Sequence, residues 1–327
     1  MRRFYARAMT IILPLLLLPS YATSQESYIH LNKVIEKLEK GKVVAGIWSL
    51  SQNLPTARGI VEFNGFPNQK EAIEKPMIDF LVVAMEHYPY DITQLRTFMA
   101  GLISRREVIA KGSIQPNLAC FVRIPSDGSE PVHALIKQVL DVGAHGVVVP
   151  HVRNAEEALK IVRACRYQRP AHASQKEPQG TRGFSPTICS YIWGVTIDEY
   201  YDRADVWPLN PLGDIMVIIM IEDPEGVKNI DDIIKVPGIG AIFFGPADYT
   251  VSSGNYGNRD FDVSIPLNVV KRACDKAGIP FVAFANEHDI EKKMQDNPTM
   301  FIIGSDTDLG GSASKVLDYL RRHFYKE

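Results

Sequence analysis

Glu86 with His87, Arg123, Glu222 with Asp223, and the run Gly245-Pro246-Ala247-Asp248 each close or follow one of four separate apolar stretches. Hard carboxylate oxygens such as those of Glu222 and Asp248 suit Mg²⁺ or Mn²⁺, with open positions left for substrate and water. Each acid taken alone also reads as a helix N-cap or a solvated loop residue. Taken together that reading weakens, because residues 215–221 are so apolar that a carboxylate ending them is conspicuous. Arg123, inside Phe-Val-Arg-Ile-Pro, needs an anionic partner if its segment is a buried strand. His87 alone reads more readily as a hydrogen-bonded packing residue than as a catalyst.

Other chemistries find no support. No Lys closes an apolar run, which argues against a Schiff base. Neither a G-x-S-x-G elbow nor a P-loop occurs. Cys120, Cys165, Cys189 and Cys274 lie far apart with no C-x-x-C pair, so a zinc site is not expected. Cys120 sits in an apolar run and reads as a buried small hydrophobe. His133, His145, His151, His172 and His288 show no pairing at ligand spacing and receive no role.

The elements that must position these groups are legible as alternation. Apolar runs at 43–50, 79–86, 120–124, 146–150, 215–222, 240–245, 280–285 and 300–305 read as strands buried on both faces, as in a parallel sheet. Between them, 91–103, 131–142, 154–166, 224–236, 266–277, 287–296 and 312–324 carry apolar residues at helical spacing. Asn154 and Glu157 give the third of these a capping-box-like start. Eight strands interleaved with helices predict a (β/α)₈ barrel, whose chemistry sits at the strands' C-terminal ends. The segments 51–76 and 169–214 break the alternation and are expected as excursions around the mouth, the second with a short helix near 198–204.

The 327 residues, 46% hydrophobic and 23% charged, exclude a disordered, collagenous, coiled-coil or multi-span membrane chain. With 36 basic against 38 acidic residues and no basic stripe, nucleic acid is not an expected partner. Arg2, Arg3 and Arg7 precede an apolar run at 11–18, and small residues follow around 20–24. That pattern predicts a cleaved export signal over 1–24, a periplasmic or secreted protein, and one barrel domain over 25–327. The run is too short for a stable membrane span.

Many short motifs, in order, resemble the metal-dependent 2-oxo acid aldolases of the HpcH/HpaI aldolase and citrate lyase superfamily. They are Gly46-Ile47-Trp48, Val83-Ala84-Met85-Glu86-His87, Val122-Arg123-Ile124-Pro125, and Gly143-Ala144 through Val149-Pro150 into Asn154-Ala155-Glu156-Glu157-Ala158. Gly180-Thr181-Arg182-Gly183, Tyr201-Asp202-Arg203-Ala204, Ile221-Glu222, Phe244-Gly245-Pro246-Ala247-Asp248 and Ile303-Gly304-Ser305-Asp306 continue the series. The resemblance implies a barrel of the phosphoenolpyruvate/pyruvate type, with Glu222 and Asp248 holding a divalent ion, Mg²⁺ or Mn²⁺. It implies His87 as base and Arg123 over the oxo group. The turn from Gly245 through Ala247 to Asp248 would be a backbone cradle for the substrate carboxylate.

It further implies cleavage of a 4-hydroxy-2-oxo acid to pyruvate and an aldehyde. The family's assembly is a homo-oligomer, commonly a hexamer exchanging C-terminal helices. One departure bears on activity: the family carries Asp three residues before its histidine, and Ala84 stands there. The imidazole then loses an orienting carboxylate, which predicts a slow aldolase. The alternative is an exported, non-catalytic or weakly active protein that binds the metal and a 2-oxo acid. A third reading, the acyl-CoA branch of the superfamily, ranks last, since no basic stretch near the mouth would hold a CoA phosphate.

Overall fold

Phe80 and Val82 pack into one apolar cluster while Leu81 and Val83 pack into another, and the same two-residue alternation runs through every long strand. The smaller cluster, which includes Val44, Phe121, Val148, Met216, Ile218, Met220, Phe243 and Ile302, fills the inside of a barrel. The larger one is the layer between the barrel's outer face and its helices. Strands buried on both faces must be apolar throughout, which is why Ile-Met-Val-Ile-Ile-Met-Ile is wholly buried.

The computed structural model describes residues 28–65, 78–126, 131–175, 177–296 and 299–324. The expected signal at 1–24 lies outside them. The strands are β1 (Val44–Ser49), β2 (Phe80–Ala84), β3 (Ala119–Arg123), β4 (Gly146–Val149), β5 (Val206–Trp207), β6 (Ile215–Ile221), β7 (Ala241–Phe244), β8 (Phe281–Phe284) and β9 (Met300–Ser305). All pair in parallel in the order β4-β3-β2-β1-β9-β8-β7-β6, and β4 pairs with β6 to close eight strands into a (β/α)₈ barrel. The two-residue β5 adds only to the start of β6.

The helices carry recognisable stops and starts. Asn154 caps Ala155–Cys165 by accepting from the Glu157 N–H, and Glu157 returns its carboxylate to the Arg153 N–H. Thr196 and Glu199 form a complete capping box on Ile197–Arg203. The segment 51–76 is not merely a connection: Leu54–Phe63 is a helix capped by Asn53, with Ala57, Ile60 and Val61 buried. Its Pro55 suggests a break, yet it lies in the first turn, where the missing N–H costs nothing. The 169–214 excursion holds two helices, Thr187–Trp193 and Ile197–Arg203, and then β5.

The Gly180-Thr181-Arg182-Gly183 motif is structural here. Gly180 passes so close to the Arg166 and Tyr167 carbonyls that a Cβ would meet them at 2.2 and 2.3 Å. Arg182, buried, reaches Asp141 at 2.8 Å and the Tyr200 hydroxyl at 3.0 Å, and lies over the Tyr167 ring. Arg166, fully buried, grips both oxygens of Asp205 at 2.6 and 3.0 Å. These pairs fasten the excursion to the barrel's outer helices.

Candidate active site

The alternation that fills the barrel also aims its top. Continuing the inward positions of each strand by two places gives Trp48 on β1, Ala84 on β2, Arg123 on β3 and Glu222 just after β6. Ala84 and Arg123 are register partners across β2 and β3. Beyond the last paired residue of β2, Glu86 turns back over the mouth.

Arg123 finds its anion there: Nη1 lies 2.8 Å from Glu86 Oε2. The contact is close but not aligned as a hydrogen bond, which leaves Glu86 Oε2 without a hydrogen-bond partner, and Arg123 Nε, on the other side of the guanidinium, has none either. The guanidinium stacks 4.5 Å above the Trp48 ring, which in turn stacks on Phe243. Burial raises the Glu86 carboxyl, but the His151 hydrogen bond, Arg123 and His87 outweigh it and hold it below the usual range.

Glu222 is the buried carboxylate of the site, 1% exposed. Its Oε1 accepts the His151 backbone N–H at 3.1 Å, while its Oε2 has no partner. Gly245 explains part of this packing, since a Cβ there would stand 2.1 Å from Glu222 Oε2. Desolvation pushes the Glu222 carboxyl up to about 7; the charges of Glu86 and Asp248 add to the rise and His151 opposes it.

His151 is the residue that sequence reasoning missed. It follows β4 and Pro150 and, among the described residues, is the one non-glycine with a left-handed backbone, φ 55°. Its ring lies between two carboxylates, Nε2 3.5 Å from Glu86 Oε1 and Nδ1 3.8 Å from Glu222 Oε1. The hydrogen bond to Glu86 is the main cause of a raised imidazole pKa, which burial lowers and Glu222, Glu86 and Asp248 raise. Ligand atoms of Glu86, His151 and Glu222 all lie within 4.8 Å of one another. No spacing signal in the sequence links 86, 151 and 222. Only the ends of β2, β4 and β6, read as converging on one barrel mouth with β3 between the first two, could have found them.

The other expected residues are placed less centrally. His87 is at the rim with its side chain 59% exposed, Nε2 3.5 Å from Glu86 Oε2. Asp248 lies in the first turn of the helix Pro246–Ser252; it is not part of the three-residue cluster, though its charge is felt at both His151 and Glu222. Gly245 cannot offer its N–H to a ligand, because that group already donates to the Ile221 carbonyl at 3.1 Å. Pro246 has none. The first intrahelical bond runs from Tyr249 to Gly245, so the donors of this turn open to a ligand are Ala247 and Asp248.

A divalent cation fits these residues on the chemistry of the donors. An orphaned oxygen on a carboxylate this deeply buried, beside a second carboxylate and an imidazole, is an incomplete polar cluster that a cation would complete. The pattern of the HpcH/HpaI aldolase/citrate lyase family matches residues 71–311, a span holding every group just described except Trp48. The chain belongs to that family. A 5-keto-4-deoxy-D-glucarate aldolase of Enterobacter sp. (strain 638) is 29% identical over 88% of this chain and 95% of its own length. A family protein from Burkholderia cenocepacia J2315 shares the fold with a TM-score of 0.66 and 22% identity, covering 89% of this chain and 97% of its own. A citrate synthase, SbnG, superposes with a TM-score of 0.58 at 27% identity, over 88% of this chain and 94% of its own. Among the described residues no helix is long and apolar enough to cross a membrane.

Proposed function

We propose that this family member is a divalent-cation-dependent carbon–carbon lyase that cleaves a 4-hydroxy-2-oxo acid to pyruvate and an aldehyde. The observation that carries the reading is Glu222: a buried carboxylate with one free oxygen, facing an Arg123–Glu86 pair across the barrel mouth. The names of the relatives, aldolases of a keto-deoxy sugar acid matched over nearly their whole length, support the same chemistry.

Glu222 and Asp248 would hold the ion, Mg²⁺ or Mn²⁺, which when bound supplies Lewis-acid polarisation of the 2-oxo acid's oxygens. The Ala247 and Asp248 N–H groups face the substrate carboxylate. His87 takes the C4-hydroxyl proton on a ring nitrogen as the C3–C4 bond breaks and the aldehyde departs. The bonding pair passes into the pyruvate enolate, whose developing oxygen charge the Arg123 guanidinium meets. Proton return to C3 gives pyruvate. With Ala84 in place of an acid, Glu86 is the carboxylate left to orient His87, and it is already shared with Arg123 and His151. Turnover slower than that of the family's aldolases is the expected consequence.

The same reading places 1–24 as an export signal and 25–327 as the working barrel of a periplasmic or secreted homo-oligomer. The test is pyruvate release from a panel of 4-hydroxy-2-oxo acids by chelator-treated protein, with and without added Mg²⁺ or Mn²⁺. Release that requires the metal supports the reading. Metal and pyruvate binding without release from any panel member would instead favour the non-catalytic binding protein.

A further inference from the structure

We infer that His151 is itself a ligand to the cation, joining Glu222 and Glu86 in a mixed nitrogen–oxygen site that prefers a first-row transition metal to Mg²⁺. The inference rests on the proposed metal role of Glu222 and adds the donor set that decides which metal enters.

Each member of the cluster has an atom to give. Glu86 turns Oε2 to Arg123 and leaves Oε1 facing the His151 ring. Glu222 uses Oε1 on the His151 backbone N–H and leaves Oε2 with no partner in a fully buried setting. The imidazole lies between them, Nε2 3.5 Å from Glu86 and Nδ1 3.8 Å from Glu222, and one ligand atom from each of the three residues can be chosen so that all lie within 4.8 Å of one another. Ligand atoms bound to one metal at about 2.0–2.2 Å stand roughly 3–3.5 Å apart, so small side-chain rotations bring this set to a common ion.

The backbone supports this placement. A left-handed conformation is unfavourable for a histidine and persists where its surroundings hold it. Here the His151 N–H on Glu222 and the Val152 N–H on the Met220 carbonyl pin the turn after β4 to β6. The turn therefore directs the ring toward Glu222 and Glu86. An all-oxygen site suits Mg²⁺, whereas an imidazole donor raises affinity along the series from Mn²⁺ toward Co²⁺ and Zn²⁺.

The test is pulsed EPR of metal-free protein loaded with Mn²⁺, together with calorimetric titration of Co²⁺ and Mg²⁺, on wild type, His151→Asn and Glu222→Gln. Asn tolerates the left-handed backbone and removes the imidazole. The expected result is nitrogen coupling of a directly bound imidazole in the wild type and its loss in His151→Asn. The Co²⁺-over-Mg²⁺ preference should fall by about tenfold or more in the same variant. Mn²⁺ bound stoichiometrically with no nitrogen coupling overturns the inference while leaving the metal role of Glu222 intact. Failure of wild type to bind any of the three ions overturns both. If His151→Asn does not fold, the wild-type spectrum in ¹⁴N- and ¹⁵N-labelled protein decides alone.

Discussion

At the scale of single residues, Glu222 is the most exposed to test because it is the least exposed to water. Replacing it with Gln keeps the shape and the acceptor for the His151 N–H but removes the charge a cation needs. Mg²⁺ or Mn²⁺ affinity should fall at least roughly tenfold by calorimetry. The metal-free thermal midpoint should hold or rise, because a carboxyl lifted to about 7 gains nothing from ionising in place. Unchanged metal affinity would remove Glu222 from the site. Arg123→Lys tests a different property. The ammonium cannot both lie flat over Trp48 and reach Glu86, so turnover should drop by roughly 10²-fold. Wild-type turnover in that variant would make Arg123 a packing residue. Glu222 and Arg123 were legible from sequence because a charged residue stands out in an apolar run. His151 was not, since a histidine after Val-Val-Val-Pro looks like any loop residue until the barrel brings β4 beside β6.

At the scale of elements, continuous Val/Ile/Phe runs can be buried on both faces only in a covered parallel sheet, and seven of the eight barrel strands lie within the expected runs while β3 begins one residue earlier, at Ala119. The helix Leu54–Phe63 was hidden because Pro55 and Gly59 weaken its pattern; Asn53 and the buried Ala57–Ile60–Val61 face compensate. Packing between elements also carries a pH dependence. His145, just before β4, stacks on Trp193 and accepts the Cys120 N–H on Nδ1. Burial depresses its pKa to about 4, against a smaller upward pull from Asp214. A histidine held neutral contributes stability that is full above its unfolded pKa near 6.5, falls steadily as pH drops below that value, and is gone once pH has passed through about 4. Between pH 7 and pH 4.5 this residue should account for a loss on the order of 2–3 kcal/mol. Denaturant unfolding of wild type and His145→Gln at both pH values measures it. An equal fall in both proteins would show that His145 does not titrate as described.

At the scale of the whole molecule, the question is where the last helix belongs. The family resemblance implies hexamers that exchange C-terminal helices, and the apolar spacing of Ser312–His323 would serve either a neighbour or its own barrel. Ala313, Val316, Leu317 and Leu320 form its i, i+3, i+4, i+7 stripe, and all four are fully buried within one chain. The helix sits tightly on β9, where a Cβ on Gly304 would approach that of Ala313 at 3.2 Å. Within one chain the stripe is covered by its own barrel, so a self-docked helix and an exchanged one bury the same face and differ only in which chain supplies the barrel. Leu317→Ala should then cost about 2–5 kcal/mol, the usual range for emptying a buried leucine site. Because the lost contacts are within one chain, the drop in thermal midpoint should be the same at low and high protein concentration. Light scattering beside the melts gives the assembly state at each concentration. A midpoint loss in Leu317→Ala that shrinks as concentration rises would mean the helix is seated on a neighbour, and the exchanged arrangement would replace the self-docked one.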